Sequence, residues 1–219
     1  MTLDQFCRAR PFAYHLTAAD NVSLIRQAGR LYSAAKVLRA ANRTTDVRRV
    51  RREQARIQHD GVSVSLRDQQ PLHAKNCALS GLWSFDDLVE HLNDHVYFWP
   101  GNESRPISSG LNHFKRYKSE DAVVLKIQTS ALFLSNPAAV PLFSRFNSGA
   151  PRWSGGKPSP RGPDLFMPAA SFKGSPAEVI ELVFRDEITL PANVAVLQPA
   201  QWRDLFAPAQ QYGPQSTDG

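Results

Sequence analysis

Pro11-Phe12-Ala13-Tyr14-His15-Leu16-Thr17 is a short apolar, aromatic-rich run behind a proline, and it reads as a β-strand. Side chains alternate across a strand, so His15 and Thr17 project from the same face. Far along the chain, Pro176-Ala177-Glu178-Val179-Ile180-Glu181-Leu182 reads as a second strand that brings a carboxylate, Glu178. The two segments are expected to fold back as opposite walls of one slot.

Working outward from the first strand, Asp20-Asn21 are helix-capping residues ahead of Val22, Leu24, Ile25 and Ala28, and Gly29 stops that helix. Ser33 caps a second helix through Ala34, Ala35, Val37, Leu38 and Ala41. Val47, Val50 and Ile57 recur at helical spacing and extend it as a basic helical insertion over 36–58. Asp60-Gly61 is a turn, after which Val62, Val64 and Leu66 alternate with polar residues as in a half-buried strand, with Arg67 on its polar side. Ser84-Phe85-Asp86-Asp87 resembles a capping box and opens a helix that buries Phe85, Leu88, Val89 and Leu92. Val96-Tyr97-Phe98-Trp99 reads as a buried strand closed by Pro100-Gly101, and further strands are expected at 123–127, 179–184 and 194–197.

Helices early and strands late, without strict alternation, argue for an α+β fold in a single domain over 1–207, with a Gly/Pro-rich loop over 145–175 and a flexible tail over 208–219. The chain has 219 residues, enough for a substantial core. It has no apolar run long enough to span a bilayer and no leader-like start, so a cytoplasmic protein without a membrane partner is expected. Cys7 and Cys77 have no metal-ligand spacing, which indicates neither disulfide nor metal.

The formal charge is +6 and resides in one stretch, since Lys36, Arg39, Arg43, Arg48, Arg49, Arg51, Arg52 and Arg56 face only Asp46 and Glu53 within it. A concentrated basic face attracts polyanions. It equally describes a solvated helix whose Arg stems cover apolar neighbours. Arg145, Arg152, Trp153 and Arg161 in the Gly/Pro-rich loop place cations around an aromatic, a pattern that suits a stacked base and its backbone.

In order along the chain these pieces resemble a known family. Residues 11–34 look like the opening of the DarT family, nucleic-acid ADP-ribosyltransferases of bacterial toxin systems, in which a Tyr-His-Phe-Thr strand leads into a helix. Asp94-His95-Val96-Tyr97-Phe98-Trp99 is similar to that family's aromatic second strand, and Ala177-Glu178-Val179-Ile180 to its Ala-Glu strand, whose Glu is catalytic. Arg67-Asp68-Gln69 and Trp83-Ser84-Phe85-Asp86-Asp87 resemble a further bacterial family that brings no chemistry with it.

The resemblance implies an ADP-ribosyltransferase-like split antiparallel β-sheet core, NAD as co-substrate, and no metal. Cleaving the nicotinamide–ribose bond generates an oxocarbenium-like cation, which calls for a carboxylate beside that ribose. Glu178 is the expected catalytic carboxylate, and Glu181 and Glu187 compete with it. His15, Thr17, Asn21 and Tyr97 are expected to hold NAD, and Arg67 to grip phosphate with its planar fork. The acceptor implied is single-stranded DNA or RNA, presented by Arg145, Arg152, Trp153 and Arg161, and a toxin of this kind allows for an antitoxin protein as partner. Two alternatives stand beside it: a binding module that engages nucleic acid through 36–56, and a transferase that modifies proteins.

Overall fold

The computed structural model describes residues 1–59, 61–102, 121–198 and 201. The chain forms α1 (Leu3–Ala9), β1 (Phe12–Ala18), α2 (Val22–Ala28), β2 (Arg30–Tyr32), α3 (Ala34–Ala40), β3 (Ala55–His59), β4 (Val62–Leu66) and β5 (Cys77–Leu79). It continues through α4 (Phe85–Asn93), β6 (His95–Gly101), β7 (Ala122–Gln128), α5 (Thr129–Leu134), β8 (Leu142–Ser144), β9 (Ser159–Arg161) and β10 (Met167–Pro168). β11 (Glu181–Arg185), β12 (Glu187–Thr189) and β13 (Ala195–Leu197) complete it. The expected tail over 208–219 lies outside the described residues.

The large sheet runs β10-β8-β11-β6-β1-β7-β13, and each pairing is antiparallel. With helices packed on it, the architecture is α+β. Period-two alternation assigns the faces. Val96, Phe98, Leu182 and Phe184 join Phe6, Leu125, Ile127 and Phe143 in one core, while Val183 packs on the opposite side with Leu88, Val89, Leu92 and Phe166. A third cluster, Ala35, Leu38, Val47, Ile57 and Leu66, joins α3 to the β3–β4 hairpin.

Local signals account for most element ends. Ser84 accepts from the Asp87 amide while the Asp87 carboxylate accepts from the Ser84 amide, so the capping box starts α4 as expected. Gly29 closes α2 at φ 61°, a left-handed conformation open to glycine, and its amide donates to Ile25 O. Ser33 caps α3 through the Lys36 amide.

The expected helix over 36–58 is corrected. α3 ends at Ala40, Asn42 turns the chain at φ 58°, Thr44–Arg48 is a short 3-10 turn, and Ile57 sits on β3 opposite Val64. The apolar spacing that suggested a helix is satisfied instead by the hairpin, which buries Ile57 against Leu38. Four of its cations find acids elsewhere, Lys36 on Glu187, Arg39 on Glu90 and Asp94, Arg48 on Asp87 and Glu90, and Arg56 on Asp20, while Arg43 and Arg49 pair with Asp46 inside the stretch. The Gly/Pro-rich loop also carries order, because β9 pairs in parallel with β5, Leu79 opposite Arg161. Pro100-Gly101 does not close the aromatic strand: β6 runs through it, with Pro100 opposite Ala13. Among the described residues no helix is long and apolar enough to cross a membrane.

Candidate functional site

The site begins as a gap in a ladder. β1 pairs with β6 only at Phe12–Tyr14. Beyond that, His15–Ala18 stay with β7 while His95–Phe98 stay with β11, and the two central strands part. A side-chain bond spans the parting, from His15 Nδ1 to the Tyr97 carbonyl at 2.8 Å. A carbonyl only accepts, so Nδ1 carries the proton and Nε2 is left as an acceptor. A cleft of about 960 Å³ opens here, lined by His15, Leu16 and Thr17 from β1, His95, Val96 and Tyr97 from β6, and Glu181 from β11. That volume is at the upper end for small-ligand sites.

Burial pulls the His15 imidazole down to about 4, and the nearby Arg67 charge works in the same direction. It is therefore neutral at physiological pH. Thr17 is buried and its Oγ1 accepts from Asn21 Nδ2 at 3.1 Å. Asn21 lines the cleft as well, and its amide is tied to β4: Nδ2 also donates to Ser65 O at 2.8 Å, and Oδ1 accepts from the Ser65 amide at 2.9 Å. Both ends of the amide are consumed in tying β1 to β4, so Asn21 holds Thr17 in place.

Arg67 lines the cleft as expected, and Arg51 stands with it. Arg51 Nε donates to Arg67 O at 2.9 Å and Nη1 to Asn93 Oδ1 at 2.9 Å. Burial draws its guanidinium down to about 10, still charged at neutral pH. Two guanidinium groups on one wall are suited to an anion.

The carboxylate is the main correction. Pro176–Glu178 is a 3-10 turn, and Glu178 closes a capping box on Ser175 while pairing with Arg145 at 3.2 Å on an exposed surface. The strand begins only at Glu181, and it is Glu181 that enters the cleft, 3 % exposed. It accepts from the Ser148 amide at 3.1 Å, and burial pushes its carboxyl up to about 7. The Tyr97 ring lies against Phe166, its hydroxyl donates to Leu92 O at 2.6 Å, and the residue shares Glu181's face of the sheet.

A raised carboxyl and a lowered imidazole tilt stability in opposite directions. Glu181 contributes stability that is fully present below pH 4.5 and lost as pH rises through about 7. His15 costs stability only as pH falls from 6.5 towards about 4. The advantage of Glu181→Gln over the parent is therefore expected to grow between pH 4.5 and 7, with a ceiling of about 3 kcal/mol, and then to level off. Urea midpoints measured across that range check it, and a constant difference would exclude Glu181 as the titrating group.

The four residues expected to present an acceptor are dispersed. Arg161 is buried, donating to the carbonyls of Pro160, Asn147 and Ser148. Arg145 is engaged by Glu178 and lies over the Phe172 ring. Arg152 and Trp153 are exposed, Arg152 paired with no acid among the described residues and Trp153 Nε1 donating to Asn76 Oδ1 at 3.0 Å. Among the described residues no cluster of His, Cys, Asp and Glu is placed to hold a metal.

A family model described as a family of unknown function, DUF7002, matches residues 11–195. The chain belongs to DUF7002. The matched span takes in both walls of the cleft, from β1 to the first residue of β13. No curated protein and no solved structure matches this DUF7002 chain. Arg51 and Ser148 line the cleft without having been expected there, and Glu181 was expected only as a competitor of Glu178. A visible signal existed for one of them: in Glu181-Leu-Val-Phe the charge shares its strand face with Val183, which marks a carboxylate on a buried face.

Proposed function

We propose that the cleft binds NAD and that the chain is an ADP-ribosyltransferase, with Glu181 in the role first expected of Glu178. The observation that carries this reading is the split between β1 and β6, which gathers a neutral His15, Tyr97, two guanidinium groups and a buried carboxyl around one slot. A split antiparallel core is what the DarT resemblance implies. The alternating face that brings Glu181 to Tyr97 supports it further.

The chemistry assigns the parts. His15 Nε2 accepts from a ribose hydroxyl, the Thr17 hydroxyl supports that contact, and Tyr97 offers its ring to nicotinamide. Arg51 and Arg67 neutralise the pyrophosphate. As the C1′–N bond breaks, its electron pair leaves with nicotinamide, and the ionised Glu181 stabilises the cation left on the ribose. The acceptor's nucleophile then forms the new bond to C1′ and yields its proton to that carboxylate. With Glu181 near 7, the ionised and protonated forms that these two roles require coexist around neutrality.

For the acceptor, exposed Arg152 beside exposed Trp153 favours a single-stranded nucleic acid. The acid pairing of Lys36, Arg39, Arg48 and Arg56 speaks against a module that binds nucleic acid through 36–56. It favours instead, as the second reading, a protein acceptor. Calorimetry with NAD tests the cofactor reading, and a flat titration at millimolar NAD would refute it. Labelled NAD offered with single-stranded DNA, RNA and a protein lysate separates the acceptors.

A further inference from the structure

Glu181 receives its hydrogen bond from a turn, not from a regular element. Asn147, Ser148 and Gly149 line the cleft, and the Ser148 amide is the donor at 3.1 Å. A turn without ladder partners needs another anchor, and the buried guanidinium of Arg161 supplies it. Nη2 donates to Asn147 O at 3.2 Å and Nε to Ser148 O at 3.4 Å, while Nη1 donates to Pro160 O at 2.8 Å. The group also lies 4.9 Å from the Phe146 ring centroid. Arg161 is itself fixed by β9, paired with Leu79 of β5. A planar fork reaching both carbonyls of one turn is a task that an ammonium group performs poorly.

We propose that Arg161 is a positioning residue: by clamping the carbonyls of Asn147 and Ser148 it holds the turn whose amide binds Glu181, and so sets both the direction and the ionisation of that carboxyl. The groups that face Glu181 are few. Tyr97 comes from β6, Ser148 from the turn and Arg161 from β9. β8 places only Ser144 opposite it, since the next residue, Arg145, is held by Glu178. On the cleft side stand His15, Arg51 and Arg67. Ser148 and Arg161 are thus the groups that oppose the effect of burial on Glu181. The catalytic consequence rests on the transferase reading above, and the clamp does not.

The test uses the whole chain labelled with 13C at glutamate side-chain carboxyls, with the Glu181 resonance assigned through Glu181→Gln. In Arg161→Met, loss of the charge and of the clamped amide is expected to raise the Glu181 titration by at least about one pH unit. Arg161→Lys keeps a charge but not the fork, so a smaller rise in the same direction is expected, and this variant carries the test if the methionine variant does not fold. An unmoved Glu181 titration in a folded variant, whatever happens to its stability, overturns the proposal. If nicotinamide release is measurable, the acid limb of kcat/KM moves with the resonance. A resonance that moves in a chain releasing no nicotinamide sustains the clamp and overturns the transferase reading.

Discussion

Glu181→Gln is expected to lower nicotinamide release from NAD by roughly 10²–10³-fold, the usual loss when a preorganised charge is removed from a developing cation. Glu178→Gln is expected to leave release unchanged, because that carboxylate is spent on Ser175 and Arg145 at the surface. The pair of variants forms a strict comparison, three residues apart. Gln keeps the shape of Glu181 and still accepts from the Ser148 amide, so the loss reports charge and not collapse of the turn. Single-turnover measurement of nicotinamide at saturating NAD separates the two outcomes. Equal activity in both variants would remove the carboxylate from the mechanism, and a reversed order would restore Glu178 to it.

The largest loss of stability outside the cores is expected at Asn21→Ala. The amide makes three hydrogen bonds, to Thr17 Oγ1 and to both backbone groups of Ser65, in a buried setting. Each such bond contributes about 1 kcal/mol, and stranding the Ser65 groups adds to that, so a total of about 2–4 kcal/mol is expected. Urea unfolding should show a lower midpoint at unchanged slope. Asn21→Ala should also weaken NAD binding, since Thr17 loses its anchor. A midpoint shift with wild-type NAD affinity would show that Thr17 does not need the amide.

Where chemistry is local, the chain was readable. β1, the Ser84 capping box, the Gly29 stop and the alternating strand at 62–66 all follow from neighbours in sequence, and each stands where expected. The basic stretch was not readable as structure, because most of the acids that hold it, Glu187, Glu90, Asp94, Asp87 and Asp20, come from remote elements. Glu178 misled for a different reason: Ser175-Pro176-Ala177-Glu178 is itself a capping-box pattern, and the proline favours a helical first turn over a strand. The three-residue offset from the last turn residue, Glu178, to Glu181 therefore decides which carboxylate meets the cleft. Arg161 read as one of the loop cations that present an acceptor, and only the β5–β9 pairing reveals why it is buried.

The parting of β1 from its neighbour has a counterpart in how the chain must assemble. β1 lies inside the sheet between β6 and β7, with the pairs Tyr14–Trp99 on one side and Phe12–Gln128 on the other. A nascent chain thus carries this ribbon unpaired until β6 and then β7 have been made, and closure depends on contacts of high sequence separation, the kind that slow folding. The same strand that offers a substrate its polar groups is, earlier, the one most in need of shelter from other chains.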